Sequence, residues 1–587
     1  MKKDKKRVAA KPVAPVARTG PPQWQMWAAW AAGLVAMLWA YAPAMDGPFL
    51  FDDAFLPFTV SGLAQRTLAQ WLHSPRPLLM ATYWMSARLS PDDTWWFHFM
   101  NVAIHAIASG LAFFIVRRLL QWAAVEESKR NLLAGVAAAL FLLHPVQSEA
   151  VAYLAGRSES LSVMLALAAF TVFLYRRRAA AAWGTAAAVF VLFLAALASK
   201  EQTMALPALF LLTDYWFNDF SFRGIRANWR IYAPMAAAGL AGVWFFRGLI
   251  TNATTAGFGL KEFTWYQYFF TQCRALWVYI GLFLFPVNLS ADWDFAISRT
   301  VLDKGAIAGL VALVAAAAAA WHWRRRFPLA CYGYFAFLLL MAPTSSILPI
   351  KDPVAERRLY FAMLGLLLIL VDALARLRVE RKALAVGAAV LVAAATLATH
   401  ARAEVWSDAV MLWRDTVSKS PNKWRAHFQL GYAYFSLSGY PKVSEPEQCE
   451  LALQEYGKSA GLHPADADLL ADWGLAYDCL NEQDEAMAKL RQSALLKPTG
   501  HVFSQIAMIY GKKEQWRDAL ANLAAAEKLD PAFPDTYVYR GKVYFRLGQY
   551  TLAAREYQHA LALDPSIQDA RNDLNLVFRQ LQGNPGR

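Results

Sequence analysis

Between residues 24 and 400 the chain is written as one apolar run after another, most of them close to the thickness of a bilayer. A hydrocarbon core of roughly 30 Å takes about 20 mainly apolar residues per helix, or about 17 at the short end. No water is available there to satisfy backbone N–H and C=O groups, so runs of this length fold as helices. Eleven candidate spans follow: 24–44, 97–116, 131–147, 158–175, 180–198, 202–217, 231–250, 303–322, 328–343, 355–372 and 383–400. A twelfth run, 266–286, is interrupted by Gln267, Gln272, Cys273 and Arg274 and reads as re-entrant or interfacial. Composition agrees: 57% of residues are hydrophobic and 17% charged, less charge than a soluble chain carries.

The net charge of +14 does not point to nucleic acid, because the Lys and Arg sit in short clusters between apolar runs. Such clusters mark cytoplasmic loops. They fall at residues 2–7, at Arg117, Arg118, Lys129 and Arg130, at 176–178, at 223–230, at 324–326 and at 376–382. Eleven spans with 266–286 not crossing put all six on the cytoplasmic side and the C-terminal half outside. Residues 1–23, basic and rich in Pro and Ala, are expected to form a disordered cytoplasmic tail. The run behind the tail is long and lacks a small-residue cleavage site, so it reads as an uncleaved span.

The same topology gathers the unusual polar residues on one face. The exterior loops hold Asp52 and Asp53, Arg76, His144 and Glu149, Lys200 and Glu201, Asp292 and Asp294, and Glu356, Arg357 and Arg358. Ionisable groups at membrane depth are costly and line a cavity or functional path, or pair with one another to hold helices together. Were 147–160 one helix, Glu149, Tyr153 and Arg157 would share a face, as would Glu356 and Tyr360. His98 and His105 read as hydrogen-bonded core residues, and His144 before Pro145 as a helix end. Stretches 63–72 and 78–89, too short or too polar to span, read as amphipathic helices on the membrane surface.

After residue 402 the composition turns mixed and a repeat begins. Pro464, Pro498, Pro531 and Pro565 recur at spacings of 34, 33 and 34 residues, the tetratricopeptide (TPR) period of about 34. Gly431, Gly474, Ala507 and Gly541 occupy the small position of each first helix, with Tyr434, Tyr477, Tyr510 and Tyr544 three residues on. Ala452, Ala486, Ala519 and Ala553 take the small position of each second helix. The first repeat carries an insertion around SGYPKVSEPEQ, and 567–583 is expected to cap the array. A helix at about 403–420 should couple it to the membrane part. The four cysteines, 273, 331, 449 and 479, lack metal-ligand spacing, so zinc is not expected. Cys449 starts the second helix of the first repeat and Cys479 ends the first helix of the next, positions close enough to pair.

Several motifs resemble the TMTC (transmembrane and tetratricopeptide-repeat) family of O-mannosyltransferases, and more broadly the GT-C membrane glycosyltransferases. They are FLFDDA (49–54), SPRPLL (74–79), FHFMNVAIHA (97–106), LHPVQSEAVAYLAGRSE (143–159), SKEQ (199–202) and VAERRLY (354–360), followed by the repeats. The resemblance runs in order along almost the whole chain. It implies an all-α fold: a GT-C domain at 24–401, a connecting helix at 402–423 and a TPR solenoid at 424–587. It also implies a polyprenyl-phosphate-linked sugar as donor, a catalytic acid in the first exterior loop, and a TPR module that presents the acceptor on the same side. Lack of eukaryotic retention signals suggests a bacterial relative, in the inner membrane with the TPR in the periplasm.

The residues fit that chemistry in their own right. Transfer to a hydroxyl needs a carboxylate to take its proton, a role for Asp52 or Asp53. A leaving phosphate needs preorganised cations: Arg76, Arg157, Lys200, Arg357 and Arg358. His144, Glu149, Glu201, Glu356 and Tyr360 would orient those groups or meet sugar hydroxyls. An alternative use of Asp52 and Asp53 is to hold a divalent cation with Asp292 or Asp294; otherwise no metal or cofactor is called for. Rival readings are a transferase acting on a lipid or surface glycan, and a non-enzymatic scaffold or transporter.

Overall fold

A computed structural model describes residues 23–55, 67–89, 93–177, 179–252 and 257–583. The expected disordered tail and the 63–66 part of the first surface helix lie outside the described residues. Among the described residues the fold is all-helical, and six helices are long and apolar enough to cross a membrane: Trp24–Ala44, Trp95–Trp122, Leu154–Leu174, Asp303–His322, Glu356–Arg376 and Arg381–Val405. A seventh arises if Glu127–Leu143 and Pro145–Val151, bent by 48°, form one span. The expected span 231–250 lies in the 24-residue helix Trp229–Asn252, which holds Pro234, and three others are shorter helices: Trp183–Leu197 has 15 residues, Leu206–Trp216 has 11 and Pro328–Met341 has 14. At 1.5 Å per residue these reach only part of the way across.

Two helices meet at unusually close range. A Cβ on Gly333 would lie 2.5 Å from the Gly365 carbonyl oxygen, and one on Gly365 would lie 2.5 Å from that of Gly333. Helices Pro328–Met341 and Leu359–Arg376 therefore touch backbone to backbone, the small-residue packing that lipid-embedded helices favour.

Two expectations are revised, and a third segment takes a definite form. Segment 266–286 is one unbroken helix, Trp265–Leu284, opened by a Thr264–Gln267 capping box. Its polar residues are turned inward: the Gln272 amide donates to the Pro353 carbonyl at 2.9 Å, and the Tyr268 hydroxyl to that of Thr344 at 2.6 Å. Segment 147–160 is not one helix; it breaks into Ser148–Val151, a turn at Leu154–Gly156, and a new helix from Arg157. Gly156 permits the tight return, since a Cβ there would sit 2.7 Å from the Glu149 carbonyl oxygen. The connecting helix is likewise divided: the last span runs on to Val405, and Asp408 caps a separate helix, Ala409–Lys419.

The soluble half forms four helix pairs and the capping helix Gln568–Gly583. Ala452, Ala486, Ala519 and Ala553 are fully buried, and a Cβ on Gly541 would press 2.8 Å from the Tyr557 ring. Cys449 and Cys479 are joined by a disulfide. The insertion of the first repeat forms a strap. Tyr440 donates its hydroxyl to the Asp478 carboxylate of the second repeat and accepts from the Lys512 ammonium of the third at 3.1 Å. Lys442 pairs with Asp569 of the capping helix at 3.2 Å.

Candidate functional site

The two acids of FLFDDA have opposite surroundings. Asp53 is buried, its Oδ2 accepting from the Leu50 N–H at 2.9 Å and its Oδ1 from that of Ala155 at 2.8 Å. Burial pushes its carboxyl up to about 8, although those two N–H groups and Arg157 oppose the rise. Asp53 thus ties the short turn Phe51–Phe55 to the Leu154–Gly156 turn. Asp52 is exposed, and its carboxylate accepts no hydrogen bond among the described residues. Only its backbone is tied, its N–H donating to the Tyr153 hydroxyl at 2.9 Å.

One cation acts on the free carboxylate directly, and two more interact with that cation or with each other. Arg357 interacts electrostatically with Asp52, and both its backbone N–H and its guanidinium donate to the buried Glu149. Lys200 pairs with Glu159 at 2.6 Å, and Gln202 donates to the same carboxylate. Burial lowers the Lys200 ammonium, and the like charges of Arg357 and Arg76 lower it further against the pull of Glu159. Arg76 makes a two-pronged pair with Glu201 at 2.8 and 3.1 Å. Burial would raise that carboxyl, but Arg76 outweighs it and the net shift is downward. Three cations from three separate loops thus interact, each with its own counter-carboxylate, the pairing that permits charge at depth.

The remaining candidates are engaged elsewhere. Arg157 is fully buried and donates to Asn101 at 2.7 Å, Ser86 at 3.0 Å and the Phe97 carbonyl at 2.7 Å, with its guanidinium 4.5 Å over the Tyr83 ring. His144 is stapled to the Phe283 carbonyl at 3.0 Å. The Tyr360 hydroxyl meets His105 at 2.8 Å, and His98 meets the Gly47 carbonyl at 3.0 Å. Arg358 donates to the Pro353 carbonyl at 2.8 Å. Glu356 is fully buried and accepts from the Ser290 N–H and, at 3.3 Å, from the Trp293 indole. Asp292 is gripped by Arg425 at 2.7 and 2.8 Å, while the Asp294 N–H donates to Ser420 at 3.2 Å. The four acids are not gathered into one cation cage: among the described residues no group of three or more His, Cys, Asp or Glu is placed to hold a metal.

Sequence reading missed Glu159, whose place two residues after Arg157 in GRSES is the signal that could have found it. It also missed Phe51, Trp413 and Arg425, which meet beside Asp52. Nothing in a repeat sequence tells which of its surface cations will face the membrane domain.

A helical membrane protein with an exposed carboxylate that feels Arg357, and with Lys200 interacting with both Arg357 and Arg76, joined to a TPR solenoid, is the class that fold and site define. The tetratricopeptide-repeat family model matches residues 534–567. The chain is similar to curated protein O-mannosyl-transferases of the TMTC family. It is 26% identical over 372 residues to F38B6.6 of Caenorhabditis elegans, covering 61% of this chain and 50% of that protein. Against TMTC3 of Mus musculus it is 23% identical over 574 residues, covering 87% and 59%; against TMTC1 of Homo sapiens, 23% over 482 residues, covering 74% and 52%. The chain spans about half the length of the curated relatives it matches. A tetratricopeptide repeat protein from Parabacteroides merdae superposes with a TM-score of 0.27 at 12% identity, over 46% of this chain and 99% of that one.

Proposed function

We propose that this chain is a glycosyltransferase of GT-C type that moves a hexose, mannose by resemblance, from a polyprenyl-phosphate donor to a protein serine or threonine hydroxyl. Asp52 takes the acceptor proton as the acceptor oxygen attacks the anomeric carbon. The bond from that carbon to the donor phosphate oxygen breaks, and the polyprenyl phosphate leaves with the bonding pair. Arg357, Lys200 and Arg76 balance the charge that collects on it. Asp53 stays in its backbone cradle and holds the turn. The face is exterior, the periplasmic side of a bacterial inner membrane, where the solenoid brings the acceptor.

The observation that carries this reading is the asymmetry of the acidic pair. One carboxylate is consumed by backbone donors; the other is exposed and feels Arg357. The names of the curated relatives support the transfer of mannose to protein. The test is transfer of radiolabelled mannose from a polyprenyl-phosphate donor to serine- and threonine-bearing peptides by the purified chain in lipid nanodiscs. Asp52→Asn should lower turnover by about 10²–10⁴-fold, the usual worth of a positioned general base. Wild-type turnover retained by Asp52→Asn refutes Asp52 as the base, and label found only in lipid or glycan moves the acceptor to the rival class.

A further inference from the structure

Phe51, the residue before Asp52, has φ of 51°. A non-glycine residue in the left-handed region is strained and persists only where its surroundings over-determine it. The surroundings here come mostly from outside the membrane domain. The Phe51 ring lies 5.5 Å from that of Trp413, edge to face, on helix Ala409–Lys419. Arg425, in the first TPR helix, places its guanidinium 5.1 Å over the same ring. Tyr153 closes the third side at 6.4 Å.

Arg425 is itself held rigidly. Asp292 binds it through both oxygens and Asp352 binds it at 2.8 Å. Lys423 stands 3.3 Å from Asp292 and 3.6 Å from Asp352, so two cations meet two acids in a mostly enclosed, neutral cluster. A two-pronged guanidinium–carboxylate pair fixes direction as well as distance. Were anchoring the solenoid its whole purpose, the cluster would be redundant. Arg402 already pairs with Asp415 at 2.8 Å, Lys419 caps the Leu289 carbonyl at 2.7 Å, and Ser420 accepts from the Asp294 N–H.

We infer that the foot of the solenoid is part of the catalytic apparatus: Arg425 and Trp413 are positioning residues that aim Asp52 by clamping the ring of Phe51. Asp52 has no side-chain hydrogen bond of its own among the described residues, so the backbone torsions of Phe51 set where its carboxylate points. The inference rests on Asp52 as the base, and it makes the TPR module a structural component of the active site as well as a receptor for partners.

Two readouts separate this from mere anchoring. The first is turnover by the full chain in nanodiscs with the mannosyl donor. Arg425→Ala should lower kcat by about 10- to 100-fold, as expected when a reacting group is misplaced by about 1 Å, with donor KM changed less than twofold. Arg425→Lys, which keeps a cation over the ring, should recover part of the loss. The second readout needs no enzymatic activity: maleimide labelling of Asp52→Cys, with Val443→Cys in the exposed strap as a reporter of solenoid integrity. Adding Arg425→Ala should speed labelling of Asp52→Cys at least fivefold and leave Val443→Cys unchanged. An unchanged kcat together with an unchanged Asp52→Cys rate overturns the inference, and so does equal acceleration at both thiols, which marks Arg425 as an anchor. Faster labelling of Asp52→Cys alone, in a chain whose wild type transfers no sugar, upholds the clamp and overturns the proposed reaction instead.

Discussion

Removing Asp53 should unfasten one turn from another and cost more than removing its neighbour. In Asp53→Ala the buried Leu50 N–H and the half-buried Ala155 N–H lose the carboxyl oxygens that accept them. An orphaned buried donor costs about 1–3 kcal/mol, so the pair should cost about 2–6 kcal/mol. At about 1.4 kcal/mol per decade, hydrogen exchange at those two amides should quicken by at least about 30-fold if the tie opens locally. Asp52→Ala removes an exposed carboxylate that accepts no hydrogen bond among the described residues and should change stability by no more than about 0.5 kcal/mol. A pH signature separates the two acids further. With its carboxyl pushed up to about 8, the folded protein binds one more proton at Asp53 than the unfolded chain does between about pH 4 and pH 8. Stability from this group is therefore full below about pH 4 and falls with rising pH, by up to about 1.4 kcal/mol per unit, until pH 8. Asp53→Asn should erase that slope. Exchange measured by mass spectrometry on Asp53→Ala, with thermal unfolding of Asp53→Asn from pH 5 to pH 8, makes the comparison. Unchanged protection of Leu50 and Ala155, or a larger loss from Asp52→Ala, would refute the division of labour argued for the pair.

Two further outcomes test the soluble half. The Cys449–Cys479 bond closes a loop with a sequence separation of 30, and a loop of that length should stabilise the fold by about 3–4 kcal/mol in the chain-entropy account. Cys479→Ser or reductant should lower the solenoid's unfolding temperature, and two freely reactive thiols in protein from native membranes would contradict the pairing. Gly541→Val should cost about 1–3 kcal/mol by overpacking, because its first added carbon already meets the Tyr557 ring at 2.8 Å. A neutral result in chemical denaturation would show that the helix pair can part without cost.

The repeats were legible because each carries its own local rule: a proline every 33 or 34 residues and small residues where helices cross. Burial of the four alanines and the pressure at Gly541 are the physical content of that pattern. The membrane spans were legible as apolar runs, but their lengths were not, since a run does not say where a helix will break. Pro145 ends the 131–147 run early, at the helix end that His144–Pro145 marks, and Gly156 turns the chain between two runs; neither break follows from hydropathy. Pairing partners were harder still. Glu149 and Arg157 are eight residues apart, yet Glu149 binds Arg357 and Arg157 binds Asn101. Which of two adjacent acids stays free depends on backbone donors at Leu50 and Ala155, and spacing carries no information about those.

The strap across the solenoid has a consequence for affinity. Tyr440 and Lys442 touch the second repeat, the third repeat and the capping helix. They behave as a ligand already tethered to its receptor. A short tether presents its end at an effective concentration of the order of millimolar. A peptide entering along this face would compete with that internal occupant at Asp478, Lys512 and, on the capping helix, Asp569, and its apparent affinity would fall by the fraction of time the strap is seated. A weak peptide would then be screened out, whereas a segment that satisfied the Asp478 carboxylate better than a tyrosine hydroxyl does would gain entry, and the length of the insertion would help set the threshold.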